Sequence, residues 1–215
     1  MGKLSELILS ADQIQLNAAF EEEQRNANNV WMSCFKAPIS NCKPVSYRFS
    51  LPQVYAMVMM LDYYGRLTTE LRAIDDPDRQ REFKHDRLDF VTPSGVFSYR
   101  DEAHLVRHSG LIAVDIDEHE NPEAVRDIDA LKQHLLDDDD LIIDLMFRSP
   151  RGNGLKAFVR INVVEFSHYD NFRALRVHFL KKHGIVIDPS CRDICRSCFL
   201  CHDPQCFVSQ QVSPF

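Results

Sequence analysis

Residues 111–117 read LIAVDID, and residues 148–156 read RSPRGNGLK. The first run is apolar at five of seven positions, the pattern of a central strand buried on both faces. It ends in Asp115 and Asp117, whose two-residue spacing puts both side chains on one face of a strand. Carboxylates that close repel each other. A hard divalent cation such as Mg2+ or Mn2+ removes the repulsion and takes their oxygens as ligands. The plainer reading is a pair of surface acids opening a polar loop.

The second run adds what an anion needs. Gly152 and Gly154 permit positive φ and bring backbone N–H groups close to a ligand. Arg148, Ser149, Arg151 and Lys156 supply positive charge and hydrogen bonds. The plainer reading is an ordinary hairpin loop.

Working outward, GLIAVDID (110–117) is a strand, and Asn121 with Pro122 opens a helix to about Leu136. LIIDLMF (141–147) and LKAFVRIN (155–162) are strands around the glycine turn. Ser167 to His183 is a helix stopped by Gly184. IVID (185–188) and CFLC (198–201) are further strands. The order β-α-β-β-α-β predicts an α/β (α+β) fold with a split βαβ core of the RRM or ferredoxin-like kind. There the first and third strands are antiparallel neighbours, so Lys156 falls beside the acids. Asp188, at the end of IVID, converges on the same edge, with Arg192 and Arg196 just beyond. Residues 106–215 form this core, and residues 1–105 form a helical and strand elaboration packed on it.

In that N-terminal part, residues 4–29 read as a polar helix and VWMSCFKA (30–37) as a strand that buries Trp31. Ser50 caps a helix with Leu51, Val54, Tyr55, Val58 and Leu61 on its apolar face, ending near Gly65. A helical stretch over 68–88 is interrupted at 75–78, and residues 90–99 hold two strands about a Pro93-Ser94-Gly95 turn.

The 215 residues suffice for one substantial core. Apolar (45%) and charged (27%) fractions are those of a water-soluble chain, and no window is long and apolar enough for a bilayer. The N-terminus lacks a signal peptide's apolar core, so the cytoplasm is the expected location and the seven cysteines are expected to stay reduced. Net charge is −7, but residues 145–200 hold ten Lys and Arg against four Asp and Glu. A basic third of that kind suits a polyanion; the alternative is a solvated helix face. Cys191, Cys195, Cys198, Cys201 and Cys206 are too tightly spaced for two zinc knuckles, so no zinc is expected there. His104 and His108 are four apart, DDDD (137–140) reads as a solvated turn, and both are assigned no role.

The ordered set VDID, SPRGNGLK and IDPS resembles the three motifs of the archaeo-eukaryotic primase (prim-pol) superfamily. A longer likeness, from Phe35 to Val208, resembles the VirE N-terminal-domain family, a primase-like module of bacterial mobile elements. This resemblance implies that Asp115, Asp117 and Asp188 are catalytic acids holding Mg2+ or Mn2+. It implies that Lys156 replaces a phosphate-contacting histidine, and that Arg196 is a regular arginine of the site. DNA and a nucleoside triphosphate are the implied partners, with a separate helicase-like ATPase, and nucleotidyl transfer in replication is the implied activity. A catalytically silent single-stranded DNA-binding module and an interaction scaffold are the alternatives.

Overall fold

The computed structural model describes residues 30–210; the helix expected over 4–29 lies outside them. In chain order the elements are β1 (Trp31–Phe35), β2 (Ser46–Ser50), α1 (Leu51–Met60), α2 (Asp62–Arg72), α3 (Pro77–Arg87), β3 (Phe90–Thr92), β4 (Gly95–Phe97), β5 (Leu105–His108) and β6 (Leu111–Asp117). There follow α4 (Ile128–Leu136), β7 (Ile143–Arg148), β8 (Gly154–Arg160), α5 (His168–His178), β9 (Cys198–Phe199) and β10 (Phe207–Val208). The chain is mixed α+β, with three antiparallel sheets ordered β2-β1-β3-β9, β10-β7-β8-β6 and β4-β5. Among the described residues no helix is long and apolar enough to cross a membrane.

The second sheet carries the acids. Alternation along β6 divides its side chains between two cores. Ile112, Val114 and Ile116 point to α4 and α5, where Ile128, Leu131, Leu135, Phe172 and Phe179 meet them. Leu111 and Ala113 point the other way, toward Met32, Leu51, Leu71 and Phe158. Asp115 and Asp117 share that second face, so they look toward the N-terminal half of the chain. Each fully buried Ile or Val contributes about 1.5–3 kcal/mol, which holds β6 in a register that fixes where the acids emerge.

The split βαβ core appears only in part. β6, β8 and β7 are neighbours as expected, with Asp115 opposite Lys156. The fourth strand over 185–188 does not form. That segment lies along the open edge of β6 with one backbone bond there, Asp188 N–H to the Asp115 carbonyl at 3.0 Å. At Val186 the partner is a side chain: Asn121 accepts from its N–H and donates to its carbonyl, both at 2.8 Å. Asn121 is therefore no N-cap. Asp127 caps α4 instead, accepting from Ala130 N–H.

Two smaller expectations change and one holds. Chain direction breaks at Leu61, which is exposed, and Gly65 lies inside α2. The helical stretch over 68–88 is interrupted as expected, dividing into the end of α2 and α3, the latter capped by Asp76. Trp31 is half-buried rather than core.

The β6–β8 pair needs glycine at one point. A Cβ at Gly154 would stand 2.5 Å from the Ile116 carbonyl oxygen, which is backbone and cannot swing away. Gly154→Ala is expected to cost about 1–3 kcal/mol, read as a lower urea midpoint, and to displace Asp117, its register partner.

Candidate functional site

The sheet edge, the 149–153 turn and α3 enclose a cleft of about 330 Å³. Asp115 and Asp117 form its floor with Lys156, and Ser149, Arg151 and Arg196 also line it. Asp115, Asp117 and Asp188 each place a carboxylate oxygen within 4.8 Å of the others.

The three acids are not equivalent. Asp115 is buried and receives Lys156 Nζ on Oδ2 at 2.5 Å, while its Oδ1 has no hydrogen-bond partner among the described residues. Asp117 has its carboxyl pushed above the ordinary range, first by burial and then by the charge on Asp115. Asp188 is well satisfied: Ser190 N–H and hydroxyl donate to it at 2.8 and 2.5 Å, and Arg196 Nη2 at 2.7 Å. Burial raises its carboxyl, but those Ser190 bonds and Arg196 outweigh this and hold it below the usual value. Arg196 reaches past Asp188 to within 3.8 Å of Asp115. Asp115 and Asp117 are thus the oxygens open to a cation, and Asp188 ties Arg196 to the site.

The cations come from both halves of the chain. Arg81, Lys84, His85 and Arg100 line the cleft from the N-terminal side. Lys84 has its ammonium pushed down to about 8, first by burial and then by Arg151 and Lys156 beside it. Positive charge is therefore crowded at the mouth while a carboxylate pair sits at the floor. Arg100 holds Ser197 and the Ile39 carbonyl with its two terminal nitrogens, leaving buried Nε without a partner among the described residues. Ser149 Oγ is likewise buried and unpartnered among the described residues. Of the five such side-chain atoms, three belong to residues that line this one cleft: Arg100, Ser149 and Asp115.

Sequence reasoning missed the α3 residues. Their signal was present: Arg81, Lys84 and His85 recur at helical spacing on a helix with no fully buried residue, which a structural role alone explains poorly.

Several expected site residues stand elsewhere or act differently. Arg148 does not face the cleft; its guanidinium pairs with Asp129 at 2.8 Å. Gly152 has φ +87°, but its N–H is spent on the Ser149 carbonyl, so it offers no donor to an anion. Gly154 serves close strand pairing. Arg72 braces the turn from α2 through the Pro150 and Ser149 carbonyls. The basic third is also less open than its composition suggests, because Arg160 pairs with buried Asp144 and Lys182 with Asp138 and Asp140.

His104 and His108 do not share a face: His108 lies on β5 and meets His168, 3.0 Å away. Cys191, Cys195, Cys198, Cys201 and Cys206 are buried as free thiols. Burial pushes Cys191, Cys195 and Cys201 each up to about 12 and Cys198 to about 11, which disfavours the thiolate that metals require.

Residues 83–207, more than half of the chain, match the family described as BT4734-like, N-terminal domain. The chain belongs to the BT4734-like N-terminal domain family. No curated protein and no solved structure matches it. The family match corrects the resemblance to the VirE N-terminal domain and to primases. With it lapse the nucleotidyl-transfer activity, the mobile-element setting and the reading of Lys156 as a substituted histidine. The matched span takes in both acids, Lys84, Arg100 and Arg196, and what these residues do rests on their own geometry.

Proposed function

We propose that this cleft binds a divalent cation together with a phosphate-bearing ligand of nucleotide or nucleic-acid type. One observation carries the reading: an acid pair and a crowd of cations share a cleft, and three of its lining residues each hold a buried polar atom without a partner among the described residues. A buried polar atom left unsatisfied costs about 1–3 kcal/mol, so three together favour a ligand that supplies donors and acceptors. A cation alone answers Asp115 and Asp117 but leaves Lys84, Arg100 and Arg151 crowded. A phosphate alone answers the cations but meets the acids. The two together answer both. Bound there, Mg2+ or Mn2+ would polarise a phosphoryl oxygen as a Lewis acid. Lys84 and Arg151 would meet the outer oxygens, and Ser149 and Arg100 would donate hydrogen bonds.

The stacked pair of His85 and Phe199 at the cleft wall, ring centres 5.9 Å apart, supports a nucleotide: it is an aromatic surface on which a base can lie. A single strand presenting one phosphate to the cleft is the second reading, supported by the remaining exposed arginines of the C-terminal third.

The test is calorimetry with a nucleoside triphosphate and, separately, a short single strand, each with and without Mn2+. Triphosphate binding is expected to require Mn2+ and to vanish in Asp115→Asn/Asp117→Asn. Lys84→Ala removes a charge-assisted contact of about 1.5–3 kcal/mol, so a loss of roughly tenfold or more is expected. Metal-indifferent isotherms, identical for wild type and double variant, would contradict the proposal.

A further inference from the structure

A second cluster stands apart from the cleft, where α5 ends against the turn after α4. Helix α5 passes into a single π turn, Phe179–His183, before Gly184 closes it in the left-handed conformation at φ +69°. On an α-helix, residues five apart are rotated by about 140° from each other. A π turn winds with i→i+5 periodicity and returns them to one face. His178 and His183 are five apart, and both Nε2 atoms lie 2.7 Å from a single atom, Asp138 Oδ2.

The surroundings are organised as well. His183 and Asp138 are almost wholly buried, and His178 is about a quarter exposed. His183 Nδ1 lies 2.9 Å from Nε2 of His134, on α4. The other Asp138 oxygen takes Lys182 Nζ at 2.5 Å and the Asp140 N–H at 2.9 Å. DDDD is therefore not a simple solvated turn: one of its four carboxylates is an internal anchor for three side chains of the next helix.

We propose that Asp138, His178 and His183 form a transition-metal site of Zn2+ type, with water in the fourth position. Asp138 Oδ2 and the two Nε2 atoms lie within 4.8 Å of one another. Without an ion, one carboxylate oxygen accepts two imidazole N–H bonds. For a divalent ion to take the two Nε2 lone pairs with the oxygen, each imidazole shifts its proton from Nε2 to Nδ1, and His183 Nδ1–H then donates to His134 Nε2. At metal–ligand bonds of about 2.0–2.1 Å, tetrahedral ligands stand roughly 3.3 Å apart, so the site opens by about 0.6 Å per contact to admit it. His134 then holds the second nitrogen of His183, the supporting role that metal-bound histidines require. Asp137, Asp139 and Asp140 supply negative potential. Two imidazoles and one carboxylate suit Zn2+, whereas the all-oxygen set of Asp115 and Asp117 suits Mg2+ or Mn2+. The sequence reading expected no zinc, having weighed the cysteines and the pair His104 and His108 but not these residues. Zinc here would fasten the π turn to the end of α4.

The probe is Co2+, displaced by Zn2+, added to chelator-stripped wild-type protein with Mg2+ in excess to occupy the all-oxygen cleft. One equivalent is expected to bind with the strong visible bands of tetrahedral Co2+ and no sulfur charge-transfer band. His134→Ala is expected to weaken binding by about 10–100-fold, and His178→Gln by more. Because His178 is partly exposed, His178→Gln should stay folded, which thermal unfolding checks. If His183→Gln does not fold, the His178 and His134 variants still decide. Absence of a stoichiometric site, a thiolate charge-transfer band, or affinity unchanged in His178→Gln would overturn the proposal.

Discussion

Lys156→Met lowers the unfolding free energy of the metal-free protein by about 3–5 kcal/mol, the cost of leaving a buried carboxylate without its partner. Lys156 and Asp115 have side chains only 11% and 10% exposed, and the second oxygen of Asp115 already lacks a partner among the described residues. Burial alone would lower the lysine, but Asp115 outweighs it and the ammonium is held above its ordinary value. Its contribution is therefore fully present below the ordinary lysine range and lost only as pH rises through the higher folded value. Lys156 itself thus contributes equally at pH 6 and pH 8. Two controls separate charge from packing. Lys156→Met/Asp115→Asn removes both charges and should recover most of the loss. Mn2+ should restore part of the stability of Lys156→Met by taking the place of the ammonium. Urea unfolding in chelator and in Mn2+ measures all of this. A cost under about 1 kcal/mol, typical of exposed pairs, would mean that Asp115 is not held as described.

Saturating Mn2+ stabilises the wild-type protein by about 2.7 kcal/mol at one hundred times its dissociation constant, and Asp117→Asn loses that gain while being more stable in chelator. The second half follows from Asp117 itself. Burial and the neighbouring Asp115 raise its carboxyl, so in the empty site its negative charge opposes folding. A raised carboxylate is neutral below both folded and unfolded values, and its penalty develops as pH rises through that interval. The advantage of Asp117→Asn should thus be present at neutral pH, at about 1 kcal/mol, and vanish as pH falls through the carboxylate range. Melting curves of both proteins across pH, with and without Mn2+, check it. A variant less stable than wild type in chelator at neutral pH would show that Asp117 has a partner in the folded protein that this account lacks.

What could be read from sequence was what short-range chemistry decides. LIAVDID, the glycine turn and LKAFVRI are each locally unambiguous. Pairing the first with the third puts Asp115 opposite Lys156, as observed. Other features depend on partners far away in the chain. The segment 185–188 has strand composition, but the Asn121 amide occupies its pairing groups at Val186. Arg148 looks like a phosphate ligand until Asp129 on α4 claims it. Half the cleft's positive charge comes from α3 and from Arg100, brought over because Asp115 and Asp117 share the face of β6 that looks toward the N-terminal half. Asp138 was hidden in an acidic run whose composition signals solvent. Only the π turn, which has no periodicity signature of its own, carries His178 and His183 to it.

The account rests most directly on the cation seat at Asp115 and Asp117, and anomalous scattering from Mn2+ soaked into crystals with a nucleoside triphosphate tests it. A single strong peak is expected between the two carboxylates, beside the unpartnered Asp115 Oδ1, with triphosphate density toward Lys84 and Arg151. No peak there at saturating Mn2+, with the triphosphate bound elsewhere or not at all, would contradict it.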